Sequence, residues 1–231
     1  MFKRKKAIPN NKMRHLITKL NPRSPISEQY RTIRTNLQFS SVDETLQSIL
    51  ITSPNAAAGK SITSANVAIV YAQQGKKTLL IDADLRKPTV HYTFRLDNLR
   101  GLSNVLVGDS TIEDSIEKSD VDNLDILSCG PIPPNPSELL ASKRMQDVLE
   151  NAKQLYDFII FDTPPALAVT DAKILANIVD GSLIVYRSGV TEMEEAERTA
   201  DLMKDSKARL LGAVLNDRSK ENSNYYYYYG S

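Results

Sequence analysis

The sequence has few of the features that cross-link a chain or place it in a membrane. Its 231 residues include a single cysteine, Cys129, which excludes an internal disulfide and is compatible with a reducing compartment. No apolar run approaches the roughly 18 residues of a membrane-spanning helix, and no apolar stretch follows the charged N-terminus as it would in a signal peptide. The 29 basic and 28 acidic side chains give no global charge that would indicate a partner. The length suits one substantial α/β domain, and we expect any membrane association to come from a partner protein.

Basic and aromatic side chains are concentrated at the two ends of the chain. Eight basic residues precede the first acidic one, Glu28, and this arm fits an anionic membrane surface, a nucleic acid or a solvated leader. Because the arm has no interleaved aromatics, no nucleic-acid partner is expected. At the other end, five consecutive tyrosines, Tyr225 to Tyr229, cannot all enter a core, which predicts a disordered tail that is a substrate or an aromatic interaction motif. We predict a flexible basic leader over 1–24, a folded domain over 25–218 and a disordered tyrosine-rich tail over 219–231.

Short apolar runs alternate with helical patterns through the predicted domain. Strands are predicted over 48–52, 78–82, 124–127, 158–161, 182–185 and 210–215. Helices are predicted over 28–39 after the cap Ser24-Pro25, over 61–74 before Gly75, and from Asn135-Pro136-Ser137-Glu138 to about residue 155. Nearly continuous apolar strands separated by helices indicate an α/β fold in three layers, with a mostly parallel central sheet covered by helices on both faces.

A phosphate-binding motif lies between the first predicted strand and the helix that follows it. The segment is Ala58-Gly59-Lys60-Ser61, and a strand-to-helix junction is the context that such a loop requires. Backbone N–H groups and the positive helix end would surround phosphates, Lys60 would reach the β- and γ-phosphates, and the Ser61 hydroxyl would bind Mg²⁺. The eight-residue template is not met in full, because Pro54 stands where its first glycine belongs.

Three acidic residues follow predicted strands and complete a candidate site. Asp82 and Asp84 end one apolar strand, and Asp162 ends another. Ligands of open α/β sheets bind at the carboxyl ends of the strands, so these carboxylates should meet Lys60 and Ser61 there. An aspartate after a buried strand is the expected Mg²⁺-associated acid of phosphate-loop enzymes. Together these residues predict a P-loop NTPase-like domain with a phosphoryl-transfer site that uses ATP and Mg²⁺.

Several distinctive segments occur together in this chain. They are Gly59-Lys60-Ser61, Leu80-Ile81-Asp82-Ala83-Asp84-Leu85-Arg86-Lys87-Pro88, Gly130-Pro131-Ile132-Pro133-Pro134-Asn135-Pro136, Phe161-Asp162-Thr163-Pro164-Pro165, the Glu28-x-x-Arg31-x-x-Arg34 pattern and the tyrosine-rich tail. From about Pro25 to the C-terminus the chain resembles the bacterial tyrosine kinases of capsule and exopolysaccharide export. That resemblance implies the fold of septum-positioning and plasmid-partition ATPases, not the fold of eukaryotic protein kinases.

The resemblance also implies a role for each site residue. Asp82 would accept the proton of the acceptor tyrosine, while Asp84 and Asp162 would position the metal together with Ser61. The residues expected at the nucleotide are Ala57, Ala58, Gly59, Lys60, Ser61, Ile62 and, near the adenine, Asn216. The tyrosines expected to be autophosphorylated are Tyr225, Tyr226, Tyr227, Tyr228 and Tyr229.

Assembly and partners are implied in the same way. Glu28, Arg31 and Arg34 match a motif of subunit contacts in a ring, although without the resemblance they indicate a salt-bridge ladder along one helix. A ring would bring the tail of one subunit to the active site of its neighbour. The expected partners are a membrane-embedded activator (co-polymerase) protein with a cytoplasmic activating tail and a cognate tyrosine phosphatase. The chain would then be cytoplasmic and held at the inner face of the membrane through that activator.

One departure from the family pattern leaves alternatives open. The family usually has Pro-Gly-Glu-Gly-Lys-Ser, whereas this chain has Ala56-Ala57-Ala58-Gly59-Lys60-Ser61. If position 57 must take a positive φ, alanine there costs about 1 kcal/mol or more. The leading hypothesis is a tyrosine kinase that phosphorylates its own tail in trans and regulates polysaccharide synthesis and export. The alternatives are a partition-type ATPase without kinase activity and a nucleotide-gated scaffold without turnover.

Overall fold

The computed structural model of the protein describes residues 16–40 and 46–218, which form a seven-stranded sheet with helices on both faces. In chain order the strands are β1 (Ser48–Thr52), β2 (Thr78–Asp82), β3 (Ile116–Lys118), β4 (Leu124–Leu127), β5 (Phe158–Asp162), β6 (Gly181–Arg187) and β7 (Arg209–Asn216). Their order across the sheet is β3-β4-β2-β5-β1-β6-β7, and β3 is antiparallel to β4 while every other pair is parallel. The predicted α/β class with a mostly parallel sheet is confirmed.

Ten helices connect and cover these strands within the described residues. They are α1 (Ile17–Leu20), α2 (Pro25–Phe39), α3 (Lys60–Ala72), α4 (Val90–Phe94), α5 (Leu102–Val107), α6 (Ile112–Ser115), α7 (Pro136–Leu140), α8 (Lys143–Leu155), α9 (Asp171–Leu175) and α10 (Met193–Lys204). None of them is both long and apolar enough to cross a bilayer. The Ser24-Pro25 signal is confirmed, because the Ser24 side chain accepts a hydrogen bond from the Ser27 N–H and Pro25 occupies the first turn of α2.

The sheet separates two apolar cores because successive strand side chains point to opposite faces. On one face, Leu50, Leu79 and Ile81 pack with α5, α8, α9 and α10. On the other face, Ile49 and Leu80 pack with α2, α3 and α4. The strands are fully buried where both layers cover them, which explains why their sequences are continuously apolar. The three predicted layers are therefore present.

Two elements differ from the sequence prediction. The helix predicted from Asn135 to about residue 155 is two helices, α7 and α8, separated at Ala141 and Ser142. Ser142 has an extended backbone, and its side chain accepts a hydrogen bond from the Met145 N–H, so a second N-cap begins α8 there. The short antiparallel strand β3 had no pattern of its own, because it is only three residues long and lies at the sheet edge.

The predicted boundary of the basic leader at residue 24 is not where packing begins. Leu16 and Thr18 are buried. The backbone N–H and the hydroxyl of Thr18 both donate to Oδ1 of Asn66 in α3, at 3.0 and 2.7 Å. Residues 16–24 therefore contact the folded domain. The earlier part of the predicted leader lies outside the described residues, and so does the predicted tail over 219–231.

At the amino ends of the strands, one carboxylate ties β1 to the neighbouring elements. Asp180 accepts hydrogen bonds from the N–H groups of Gln47 and Ser48 at 3.0 and 2.7 Å, and Lys153 in α8 donates to it at 2.8 Å. Burial acts to raise the pKa of Asp180, but these hydrogen bonds outweigh burial and hold its pKa below the ordinary value. This cluster lies at the edge of the sheet opposite the candidate site.

Candidate active site

The phosphate-loop motif lies between the carboxyl end of β1 and the first turn of α3. Gly59 immediately precedes α3 with φ of 97°, a left-handed conformation that favours glycine. Ala57 has φ of 63°, so the positive φ considered for this position occurs, and it occurs on an alanine. Ala58 between them is buried, and Ile62 lies in the first turn of α3. The loop thus has a positive φ at position 57 without the glycine that would avoid backbone strain there.

Lys60 lies between two of the predicted carboxylates. Its Nζ donates to Oδ2 of Asp84 at 3.1 Å and lies 3.9 Å from Oδ1 of Asp162. The lysine side chain is only 11% exposed, so water screens these interactions weakly. Burial lowers the pKa of Lys60, but the attraction of Asp162 and Asp84 outweighs burial and its pKa is raised. The ammonium therefore stays charged where phosphates would enter.

Asp82 is buried beneath this pair and organises the loop that follows β2. Its Oδ1 accepts from the Asp84 N–H at 3.2 Å, and its Oδ2 accepts from the N–H groups of Thr89 and Val90, each at 2.9 Å. Burial and the neighbouring Asp162 carboxylate raise the pKa of Asp82 to about 7, although these hydrogen bonds oppose the shift. Asp82 thus holds the loop after β2 in place and also has a pKa near neutral pH.

Asp162 has one carboxylate oxygen without a hydrogen-bond partner among the described residues. Its Oδ1 accepts from the Ser64 hydroxyl at 3.2 Å, but its Oδ2 is buried and has no hydrogen-bond partner in the described part of the chain. Burial raises the pKa of Asp162 and outweighs the lowering effect of Lys60. A buried carboxylate oxygen is costly to leave unpaired, so a cation or an ordered water at this position would satisfy it.

The acidic residues fit a divalent cation that is completed by other oxygens. Residues 16–40 and 46–218 contain no group of three acidic, cysteine or histidine side chains arranged to hold a metal by themselves. Mg²⁺ at nucleotide sites takes one or two carboxylates, and phosphates and water supply the rest. Asp82, Asp84 and Asp162 face one lysine, so the buried site carries excess negative charge that a divalent cation would neutralise. The residues present therefore fit Mg²⁺.

Asn216 contacts the phosphate loop directly. It is the last residue of β7, and its Nδ2 donates to the Ala58 carbonyl oxygen at 3.0 Å. A Cβ added to Gly59 would lie 2.1 Å from the same nitrogen, so the contact requires glycine there. The sequence had suggested a place near the adenine, and the described contact is with the loop backbone.

Two groups near the site were not predicted. Ser64 follows Lys60 by four residues on α3, a spacing that places both on one helix face and could have identified it. Arg86 pairs with the buried Asp171 at the start of α9, at 2.9 and 3.0 Å. The sequence did not indicate this role for Asp171, because an aspartate in the first turn of a helix is common.

The residues predicted for subunit contacts are engaged within the chain. Glu28, Arg31 and Arg34 all lie on α2, as predicted. Arg31 forms an ion pair with Glu28 and donates to the Pro22 carbonyl at 2.8 Å, while Arg34 donates to the Val70 carbonyl at 3.0 Å. The ladder alternative therefore describes Glu28 and Arg31 within one chain. The five predicted acceptor tyrosines lie outside the described residues.

The site has the parts required to bind a nucleotide and act on its terminal phosphate. A helix N-terminus and loop N–H groups can hold phosphates, a charged lysine lies within the pocket, and carboxylates surround it. The described active-site residues include no cysteine or histidine in a position to act as a nucleophile. Phosphoryl transfer by positioning and charge neutralisation is the chemistry that this set supports.

Comparisons with known proteins agree with this geometry. A family model described as an AAA domain matches residues 46–209. The tyrosine-protein kinase YwqD of Bacillus subtilis (strain 168) is 51% identical, over 94% of this chain and 92% of its own. The tyrosine-protein kinase etk of Escherichia coli (strain K12) is 36% identical over 97% of this chain, but over only 32% of its own, so there the matching part belongs to a longer protein.

Solved structures extend the comparison to the fold. The kinase domain of the Escherichia coli tyrosine kinase ETK has a TM-score of 0.86 and 35% identity, covering 98% of this chain and 87% of that chain. The cell division ATPase MinD of Pyrococcus furiosus has a TM-score of 0.65 and 25% identity, covering 75% and 74%. The expected likeness to septum-positioning ATPases is thus confirmed for the fold. The 51% identity with YwqD over 94% of this chain shows that the chain belongs to the bacterial tyrosine-protein kinases, with an AAA domain over residues 46–209.

Proposed function

We propose that this tyrosine kinase transfers the γ-phosphoryl group of Mg-ATP to the tyrosines of its own C-terminal cluster, one subunit acting on the tail of another. The observation that carries the proposal is the position of Lys60, held at 3.1 Å from Asp84 and 3.9 Å from Asp162 at the end of a phosphate loop. Five consecutive tyrosines begin nine residues after Asn216, which itself contacts that loop. The described chain therefore ends, at residue 218, near the place where the phosphates would bind.

The residues of the chain divide the chemistry between them. Lys60 and the loop N–H groups hold the phosphates and orient the terminal one. Asp82, whose pKa is raised to about 7, accepts the proton that the tyrosine hydroxyl loses as its oxygen attacks phosphorus. Oδ1 of Asp82 accepts only the Asp84 N–H and keeps a further lone pair for this proton, whereas Oδ2 already accepts two N–H groups.

The cation site is assigned to three oxygen donors. Asp162 through Oδ2, the Ser61 hydroxyl and the Asp84 carboxylate would hold Mg²⁺, and Ser64 keeps Asp162 oriented through its other oxygen. Mg²⁺ held by these donors would neutralise charge on the phosphates during transfer. Asp84 and Asp162 hold the Lys60 ammonium in place in the absence of nucleotide. When phosphates bind, the ammonium would interact with them and less strongly with Asp84.

Phosphorylation of the tail would control assembly. Each phosphate adds about −1.5 to −2 charge, and several on neighbouring tails repel one another. A ring built through Glu28, Arg31 and Arg34 would then loosen as the tails are modified. Since Arg31 and Arg34 already make bonds within the chain, such contacts would use Glu28, which is exposed, and the remaining donors of the two arginines.

The family and the lengths of its members support a cellular role. We place the chain in the cytoplasm at the inner face of the membrane, where a membrane-embedded activator supplies a cytoplasmic activating tail and a tyrosine phosphatase reverses the modification. In the Escherichia coli relative the matching part is a third of a longer chain, whereas YwqD is similar in length to this one. A separate activator therefore suits the shorter members, and cycling of the kinase would regulate capsular or extracellular polysaccharide synthesis and export.

The test is phosphopeptide mapping of the tail after incubation with Mg-ATP, with and without the cytoplasmic tail of the activator. Wild type is incubated alone, and Lys60→Met, whose tail is intact, is mixed with a variant in which the five tail tyrosines are phenylalanine. Phosphate on the tail of Lys60→Met, supplied by the variant that lacks tail tyrosines, is the result expected for transfer between subunits. Lys60→Met alone should remain unmodified.

The same experiment separates the alternatives. Phosphate release without phosphotyrosine would support a partition-type ATPase, and nucleotide binding without either would support a scaffold. Phosphate on the wild-type tail that never appears on Lys60→Met in the mixture would contradict transfer between subunits. Molecular mass measured by light scattering, before and after ATP, tests whether modification loosens a ring.

A further inference from the structure

We infer that Arg86 and Asp171 form a positioning pair for phosphoryl transfer, fixing the loop that carries Asp84 relative to the segment that follows Asp162. The inference rests on the site proposed above, and neither residue of the pair contacts Lys60. Asp171 begins α9, nine residues after Asp162, and Arg86 lies two residues after Asp84. The pair therefore joins the segments that carry the two carboxylates nearest to Lys60.

Both carboxylate oxygens of Asp171 accept hydrogen bonds. Arg86 Nε donates to Asp171 Oδ2 at 2.9 Å, and Arg86 Nη2 donates to Oδ1 at 3.0 Å. The Ser137 hydroxyl in α7 donates to the same Oδ1 at 2.8 Å and lies 2.7 Å from Arg86 Nη2. Asp171 is fully buried, so both of its oxygens are satisfied by this arrangement and by nothing from solvent.

The pair is a weak source of stability, because Asp171 is fully buried and its desolvation offsets the attraction to Arg86, whose side chain is 37% exposed. What it supplies is geometry, since a planar guanidinium bound through two nitrogens fixes both distance and angle. A lysine in place of Arg86 would keep the charge but would lose the second bond to Asp171 and the contact with Ser137. The arrangement thus depends on arginine for its shape more than for its charge.

The loop between Asp82 and Val90 is held at several points. At its inner side Asp82 accepts from the Val90 N–H, and in its middle the Asp84 Oδ1 accepts from the Lys87 N–H at 3.0 Å. Arg86 is the point at which the loop is attached to α9. Without that attachment, Asp84 keeps its local hydrogen bonds, but the loop can move as a unit relative to Asp162. A displacement of about 1 Å in a catalytic group can cost on the order of 100-fold in rate.

The test compares Arg86→Lys, Asp171→Asn and the double variant Arg86→Gln/Asp171→Asn with the wild-type chain. The control is Asp180→Asn, which removes an ion pair with Lys153 at the opposite edge of the sheet. For each protein we measure melting temperature, nucleotide affinity without Mg²⁺, kcat for phosphotyrosine formation and the Mg²⁺ concentration that gives half-maximal rate.

Arg86→Lys should remain folded, because a cation still faces Asp171. It should bind nucleotide within about threefold of wild type, while kcat falls at least about tenfold and the Mg²⁺ requirement rises. Asp180→Asn should lower the melting temperature with kcat unchanged. The double variant removes the buried Asp171 carboxylate together with its partner, so its melting temperature should be no lower than that of Asp171→Asn while kcat stays low.

Two results would overturn the inference. One is a folded Arg86→Lys with kcat and Mg²⁺ dependence within twofold of wild type. The other is recovery of kcat in the double variant together with its stability, since the loss would then come from a buried charge and not from positioning. If Asp171→Asn fails to fold, Arg86→Lys decides alone. Persistent activity in Lys60→Met would show instead that the proposed site is wrong, which is a separate outcome.

Discussion

Replacing Ala57 by glycine should stabilise the phosphate loop. Ala57 has φ of 63°, in the left-handed region, and its side chain is exposed, so the substitution removes no packing. An L-residue with a Cβ carries a cost of about 1–2 kcal/mol in this region. Glycine also makes the unfolded chain more flexible, which costs about 0.4–1 kcal/mol. The net effect of Ala57→Gly is therefore a gain of about 0 to 1.6 kcal/mol.

A neighbouring alanine provides a control that cancels the second effect. Ala56 is equally exposed and is not among the described residues with positive φ. Ala56→Gly gives up the same unfolded-state entropy without relieving strain, so it should destabilise by about 0.4–1 kcal/mol. The difference between the two variants is the strain itself, about 1–2 kcal/mol, which corresponds to a separation of about 2–8 °C in melting temperature.

Scanning calorimetry of the two variants, without nucleotide, measures this separation. Equal melting temperatures would refute the reasoning, because they would mean that the alanine at position 57 stores no strain. A lower melting temperature for Ala57→Gly than for Ala56→Gly would refute it more strongly. Denaturation by urea, followed to check that its slope is unchanged, confirms that the native state is the one affected.

Three further outcomes are expected. Gly59→Ala should weaken nucleotide binding in calorimetric titration, because its Cβ would lie 2.1 Å from Asn216 Nδ2 and displace that side chain from the Ala58 carbonyl; Gly75→Ala, with φ of 86° and nothing within 4 Å, should lose stability but keep binding. Tyr71→Phe should raise the free energy of unfolding by about 1–2 kcal/mol, because the buried hydroxyl has no hydrogen-bond partner in the described chain, whereas Tyr186→Phe, whose hydroxyl donates at 2.9 Å, should lower it by about 1 kcal/mol. Asp180→Asn should destabilise most near neutral pH: the folded pKa is lowered, so the contribution of the carboxylate is full above its unfolded pKa of about 3.9 and is lost as pH falls through the folded pKa, and urea midpoints of variant and wild type should converge as the pH is lowered below about 3.9.

The strands could be predicted because their chemistry is local. Ser48–Thr52 and Thr78–Asp82 are runs of apolar residues buried on both faces, and the structure begins and ends them at the predicted residues. The clustering of Lys60 with the acids could also be predicted, since parallel strands bring their carboxyl ends to one edge. The tertiary contact was thus implied by topology, although no sequence pattern gives a distance.

What could not be predicted depends on contacts between distant segments. Thr18 is buried because Asn66 accepts its two hydrogen bonds from 48 residues away, and nothing near Thr18 in sequence indicates this. The local sequence around Asp171 does not indicate its pairing with Arg86, which lies 85 residues earlier in the chain. Ser142 was a local signal for a new helix, but the longer pattern that began at Asn135 concealed it.

The contact between Asn216 and the phosphate loop limits the size of any assembly in which one tail serves another site. The chain leaves β7 at that contact, so the tail is tethered beside its own active site. Nine residues separate Asn216 from Tyr225 and thirteen separate it from Tyr229, which gives a reach of at most about 30 and 45 Å when fully extended. The active site of a neighbouring subunit must therefore lie within that distance of Asn216, whatever path the tail takes. The tether length thus sets an upper bound of about 45 Å on the distance to the neighbouring site, and a distance between about 30 and 45 Å would leave the first tyrosines beyond reach while the last remained accessible.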